Sequence, residues 1–279
     1  MTAVTIGYGT FPLGEELVRT IPQAVGCGYR LVDTSDNYKN EKFVGRGLAA
    51  CGVSRDRLTV VTKFSRPLKT YRLEECFKQS ERNLGGRIDV YLLHWPYPFL
   101  WKVQWRKLEE LYLSGRCKSI GVCNFDKRRL ERLLRFCRVK PSVCQFERHP
   151  LFQQNETAEF CRENGIKVMC YSPFARMNSR LMKNAVIGRI AESHSMTPGQ
   201  VILRWSVERG DIPIPASSSE GHIRENFDIE GFSLSDGEMR EIDALDAGMR
   251  VRFNPDTRFS FGKKVKFFLL RVKGFFHVA

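Results

Sequence analysis

Apolar residues along the chain gather into short bursts, each cut off by a polar side chain. They recur at residues 4–10 (VTIGYGT), 29–35 (YRLVDTS), 58–64 (LTVVTKF), 88–95 (IDVYLLHW), 119–125 (SIGVCNF), 142–148 (SVCQFER), 166–173 (IKVMCYSP) and 211–218 (DIPIPASS). Apolar runs of this length, rich in β-branched residues, predict strands buried on both faces. Amphipathic stretches separate most of them, for example 73–84, 103–115 and 155–165. The last two end in a glycine suited to a left-handed C-cap. Eight buried strands alternating with helices predict an α/β fold, a single (β/α)8 barrel. A doubly wound sheet is the alternative, but its first strand should lead into a GxGxxG turn. The stretch GYGTFPLG (7–14) lacks that pattern.

In a barrel of this kind the C-terminal strand ends converge on one mouth, where active sites lie. Here nearly every predicted strand ends in something polar. Strand 2 delivers Asp33, strand 3 Lys63, strand 4 His94, strand 5 Asn124, strand 6 Gln145, strand 7 Tyr171 and Ser172, and strand 8 Ser217. Tyr38 follows Asp33 in the next loop. A phenol, a lysine, a histidine and a carboxylate together suit protonation of a carbonyl oxygen near neutral pH. A free tyrosine titrates near pH ~10, and a neighbouring ammonium favours its phenolate, so Lys63 is expected to lower the Tyr38 value. A lysine in an apolar mouth needs a partner, which Asp33 supplies.

Composition sets outer limits. The 279 residues are 42% hydrophobic without a linker-like stretch, so one domain is expected, with residues 1–258 as barrel and 259–279 as a basic tail. Nine cysteines without CxxC or zinc-ligand spacing argue against a disulfide frame or a metal site. With no signal peptide in the N-terminal sequence, a cytoplasmic location is expected. The net charge of +14 raises nucleic-acid binding, but no such motif accompanies it. The basic segment 126–140 places Leu130, Leu133, Leu134 and Cys137 at helical spacing and reads as a barrel helix with a solvated arginine face.

The segments GYRLVDTSDNYKNEKFVGRGL, VTKF, DVYLLHWP, GVCNF, NGIKVMCYSP and IPASSSEGHIREN follow one another in the order seen in aldo-keto reductases. The chain resembles that family over residues 4–257. The resemblance implies a (β/α)8 barrel that binds NADPH or NADH and reduces an aldehyde or ketone, and a monomer is expected. It implies Tyr38 as proton donor, supported by Asp33, Lys63 and His94. On the cofactor side it implies Gly9, Thr10, Asn124, Gln145, Tyr171, Ser172, Phe174, Ser217, Ser219, His222 and Asn226. Ser217 and Ser219 are expected at the phosphates, Asn226 at the adenine and the Tyr171 ring against the nicotinamide.

The chain also departs from the family pattern. Ala216 and His222 stand where a lysine and an arginine usually grip the 2′-phosphate of NADPH, which leaves the cofactor preference open. Cys123 and Leu31 replace a common Ser and His and are expected to tune the carboxamide and substrate pockets. Phe11, Phe64 and Trp95 are expected to wall the substrate pocket, with Phe99 and Trp101 as further candidates. In the tail, Phe261, Val265, Phe268, Leu269, Val272, Phe275 and Phe276 recur at helical spacing opposite Lys263, Lys264, Lys266, Arg271 and Lys273. Such a helix either contacts an anionic membrane or docks over the barrel. A non-catalytic, nicotinamide-binding regulatory subunit is the second functional reading.

Overall fold

The computed structural model describes residues 6–275. Strand and helix alternate as β1 (Tyr8–Gly9), α1 (Leu17–Cys27), β2 (Leu31–Asp33), α2 (Glu41–Ala50), β3 (Thr59–Phe64), α3 (Leu73–Leu84), β4 (Val90–Leu93) and α4 (Trp101–Leu113). The second half continues with β5 (Ser119–Cys123), α5 (Lys127–Leu134), β6 (Val143–Glu147), α6 (Asn155–Glu163), β7 (Lys167–Tyr171), α7 (Ser179–Met182), α8 (Ala185–Ser193), α9 (Pro198–Glu208) and β8 (Ile212–Pro213). Three further helices close the chain: α10 (Glu220–Phe227), α11 (Asp236–Asp243) and α12 (Phe261–Phe275).

All eight strands are parallel and pair in sequence order. The Gly7 and Gly9 N–H groups donate to the carbonyls of Pro213 and Pro215 at 3.0 and 2.9 Å, joining the last strand to the first. The predicted strands all form, several of them shorter than their apolar runs. Pro213 and Pro215 have no N–H to extend the ladder at β8, and residues 4 and 5 of the first run lie outside the described residues. The expected helices appear at 73–84, 101–113 and 155–163, and Gly115 and Gly165 beyond the latter two take positive φ values of 73° and 65°. In α5 the Asp126 carboxylate caps the Arg129 N–H, Leu130 and Leu133 are buried, and Arg128, Arg132 and Arg135 face outward.

Strand periodicity divides the core into two layers. Leu31, Val61, Val90, Leu92, Cys123, Val143, Met169 and Ile214 fill the inside of the barrel. Residues from alternate positions, such as Val32, Val60, Phe64 and Tyr91, pack outward against the helices. Gly121 sits at a close approach of β5 and β6: a Cβ there would lie 2.4 Å from the Val143 carbonyl oxygen and 2.8 Å from a Leu92 methyl.

The tail helix α12 lies against the barrel. Phe267 is buried among Trp95, Tyr97, Leu100 and Phe259, the Tyr71 hydroxyl donates to the Arg271 carbonyl at 3.3 Å, and the Arg271 guanidinium donates to the Phe99 carbonyl at 2.8 Å. The opposite face leaves Phe261, Val265, Phe268, Leu269 and Val272 exposed. Phe276 and the side chains of Lys273 and Phe275 lie outside the described residues. No helix among those described is long and apolar enough to cross a membrane.

Gly121→Ala is expected to destabilise the fold by about 1–3 kcal/mol, because backbone on β6 must move to admit the methyl group. The urea midpoint at unchanged m-value measures this.

Candidate active site

The mouth is organised from its floor upward. On β3, Val61 and Lys63 point inward while Val60 and Phe64 point outward, so the alternation that packs the helix layer also delivers one ammonium to the barrel axis. Lys63 is fully buried. Its Nζ donates to Asp33 Oδ2 at 2.6 Å and to the Thr34 carbonyl at 2.7 Å, and lies 3.4 Å from the Tyr38 hydroxyl. The other Asp33 oxygen accepts from Gln145 Nε2 at 2.7 Å. Burial alone would lower the Lys63 pKa, but the groups around it, Asp33 foremost, together outweigh burial and raise the value, so the ammonium is retained.

Tyr38 stands above this pair, its ring 5.0 Å from that of Phe11 and 5.8 Å from that of His94. Its phenol does not follow the expectation of a lowered pKa. Burial pushes the value up, Lys63 opposes the rise and Asp33 adds to it. Desolvation of the phenolate is therefore stronger here than the ammonium at 3.4 Å.

His94 Nδ1 bonds the hydroxyls of Ser35 and Ser65 at 3.0 and 2.5 Å. Burial, then the positive charges of Lys63, Arg258 and Arg252, hold its pKa well below the usual value, so the ring is neutral. When a serine hydroxyl donates to Nδ1 the ring proton sits on Nε2, the tautomer able to donate to a carbonyl oxygen. These two serines escaped the sequence reading, although each lies one or two residues past a strand end. Nearby Asp36 is paired with Arg66 at 3.2 Å, and burial raises its carboxyl to about 6.

A cleft of about 650 Å³ opens over these groups, lined by Asp33, Tyr38 and His94 and by most of the residues expected at a cofactor: Gly9, Thr10, Asn124, Gln145, Tyr171, Ser172, Phe174 and Ser217. Asn124, at φ 63°, donates to the His94 carbonyl and accepts from the Tyr171 hydroxyl at 2.6 Å, which fixes the Tyr171 ring. Ser219, His222 and Asn226 lie beyond this lining, at the start of α10 and along it. Ser219 caps that helix by accepting from the His222 N–H, and Asn226 is buried. His222 is exposed, and Arg224 pairs with Glu220.

These features fit a nicotinamide dinucleotide. An aromatic ring and two amide side chains stand at one end, and a helix N-terminus with Ser217 and Ser218 at the other. Between them Gly9 keeps the wall flat, since a Cβ there would lie 2.7 Å from the Ile214 carbonyl oxygen.

Of the expected substrate walls, Phe11 and Trp95 line the cleft and Phe64 does not. Phe64 is fully buried in the outer core layer, because it neighbours the inward-facing Lys63 on a strand of period two. Phe99 packs on Phe268 of the tail helix, and Trp101 on Phe125 and Phe136. Cys123 and Leu31 lie inside the barrel below the cleft and do not line it; burial raises the Cys123 thiol. The cleft also holds Arg252 and Arg258, which the sequence reading missed. They come from the irregular segment before α12, where no periodicity marks a facing side.

Comparison with known proteins agrees with this arrangement. The Aldo/keto reductase family matches residues 5–247. The chain is 40% identical to glyoxal reductase of Bacillus subtilis, covering 90% of this chain and 91% of that one. It is 37% identical to 9,11-endoperoxide prostaglandin H2 reductase of Trypanosoma cruzi, covering 90% of each. Among solved structures, an aldo-keto reductase from a deep-sea metagenome superposes with a TM-score of 0.89 at 31% identity, covering 92% of this chain and 96% of that one. The Bombyx mori aldo-keto reductase in complex with NADP gives 0.83 at 28% identity, covering 90% and 92%. Eight parallel strands in sequence order, a polar cluster at their C-terminal ends and these likenesses have one explanation: the chain belongs to the aldo-keto reductase family and is an NAD(P)H-dependent carbonyl reductase.

Proposed function

We propose that this reductase converts an aldehyde or ketone to the alcohol with Tyr38 as the proton donor. The observation that carries the assignment is the buried Lys63 ammonium, held by Asp33 at 2.6 Å and set 3.4 Å from the Tyr38 hydroxyl. A reduced nicotinamide held in the cleft would supply hydride to the carbonyl carbon. The oxygen then gains negative charge, which neutral His94 meets with an N–H and Tyr38 with its O–H. As Tyr38 gives up its proton, the phenolate forms beside Lys63, where it costs least. Asp33 keeps Lys63 charged and in place. The raised Tyr38 pKa means that the phenol enters each cycle protonated.

Gln145, Asn124 and the Tyr171 ring would hold the nicotinamide end, and Ser217 with the α10 N-terminus the phosphates. Ala216 removes a cation from the 2′-phosphate region, and Arg224 there is shared with Glu220. NADH use comparable to NADPH follows. Relatives named for glyoxal and methylglyoxal support small dicarbonyl compounds as the first substrates to test.

Three outcomes are expected. Tyr38→Phe lowers kcat by at least about 100-fold with binding of the nicotinamide retained, the general-acid contribution being roughly 10²–10⁴; full activity refutes the assignment of Tyr38, and absence of turnover in the wild-type chain favours a regulatory binding subunit. The kcat/KM for a neutral aldehyde stays flat from about pH 7 to 9, because His94 is already neutral and Tyr38 remains protonated across that window; a fall with a midpoint in this range contradicts those states. The ratio of kcat/KM for NADPH over NADH lies within about tenfold of unity, since one charged contact is worth roughly 10–100-fold; a strong NADPH preference that survives substitution of His222 and Arg224 overturns the cofactor reading.

A further inference from the structure

We propose that Arg252 and Arg258 form an anion-binding subsite in the substrate pocket, which selects carbonyl compounds that carry a carboxylate. The inference rests on the reductase reading above and adds a substrate class to it. Both side chains line the cleft that holds Tyr38 and His94. Each is seated on an aromatic wall of that cleft: the Arg258 guanidinium lies 4.0 Å from the Trp95 ring centre and the Arg252 guanidinium 5.1 Å from that of Phe11.

Neither guanidinium has a carboxylate partner or a hydrogen-bond acceptor among the described residues, although both are partly buried. The acids that could neutralise them are committed elsewhere. Asp256, the acid in their own loop, pairs with Arg129 and Arg128. Glu147 is fully buried and accepts from the backbone N–H groups of Val251 and Arg252, at 2.6 and 3.0 Å. It therefore anchors the loop and aims Arg252 without reaching the guanidinium. Burial lowers the Arg258 pKa, and the charges acting on it are those of Tyr97, Tyr171 and Arg252, none of them a carboxylate. Both arginines also act on His94, so their field extends to the reacting end of the pocket. Two forks of unused donors beside a carbonyl site match a planar, bidentate anion.

The test compares 4-carboxybenzaldehyde with 4-methylbenzaldehyde, which has similar shape without the charge. For the wild-type enzyme kcat/KM favours the carboxylate, and in Arg252→Met/Arg258→Met the ratio of the two values falls roughly 10–100-fold. Arg252→Lys/Arg258→Lys restores part of it, since charge survives without the fork. An unchanged ratio in the methionine variant overturns the proposal, as does a raised KM for NADPH with the ratio unchanged, which would give the arginines to the cofactor phosphates. Should the wild type reduce neither aldehyde, the reductase reading fails instead. Tryptophan quenching by the same two compounds then decides the subsite: tighter binding of the carboxylate that disappears in the methionine variant supports it, and equal binding overturns it.

A separate observation carries a second proposal. The outward face of α12, with Phe261, Val265, Phe268, Leu269 and Val272 exposed, is assigned to an anionic membrane surface. Lys263 and Lys266 are exposed on the same helix, and no acidic residue follows Asp256 in the chain. An exposed apolar stripe on a helix whose charged side chains are all basic complements lipid headgroups of negative charge. The inward face is already occupied through Phe267, so attachment does not require the helix to leave the barrel. Full-length protein is expected to float with phosphatidylserine-containing vesicles, to float poorly with phosphatidylcholine alone, and to lose flotation in Phe261→Ser/Phe268→Ser/Leu269→Ser. Recovery in the soluble fraction, equal flotation of that variant, or a dimer that only the variant dissolves without any flotation of the wild type each overturns the assignment.

Discussion

A charged lysine without contact to water is tolerated only where other groups replace its hydration, and the centre of this barrel is built around that requirement. Lys63 reaches Asp33 and the Thr34 carbonyl, and Asp33 in turn reaches Gln145. The chain of bonds ties β2, β3 and β6 together at the mouth. Removing one partner from such a buried pair costs about 3–5 kcal/mol, since a bare charge is left behind. The geometry around Tyr38 therefore depends on an interaction whose worth lies in position more than in net stability.

The fold was legible because eight apolar runs cannot be buried singly, and helices of period 3.6 lie between them. Positions at the strand ends were equally readable: Asp33, Lys63, His94, Asn124, Gln145 and Tyr171 all reach the mouth or its floor. Errors arose where proximity in sequence hid direction in space. Phe64 adjoins Lys63 but faces the helices. The sign of the Tyr38 shift was also out of reach, because it depends on how much water the folded pocket removes. Arg252 and Arg258 left no trace in the pattern: they sit in coil, and only the contacts of Glu147 with the backbone show where that coil is pinned.

The tail illustrates a different ambiguity. Its sequence reads as one apolar stripe and one basic stripe, whereas the folded helix has two apolar sides. Phe267 serves the barrel, and the set from Phe261 to Val272 faces outward. Periodicity alone picks out the outward set and passes over Phe267, which lies about 100° around the helix from Phe268. The seat of Phe267 on Tyr97 and Phe259 lies beside Trp95, so the helix is also part of what shapes the pocket rim.

A lysine near the active site of a carbonyl reductase presents a chemical hazard, because a neutral amine adds to a carbonyl and forms an imine. The lone pair needed for that addition is absent here. Asp33 raises the proton affinity of Lys63, and the resulting ammonium is spent on three oxygen neighbours. Cys123, the thiol inside the same barrel, is likewise kept protonated by burial and so is a poor nucleophile. The ion pair beside Tyr38 thus also spares the protein from covalent capture by the electrophiles it handles.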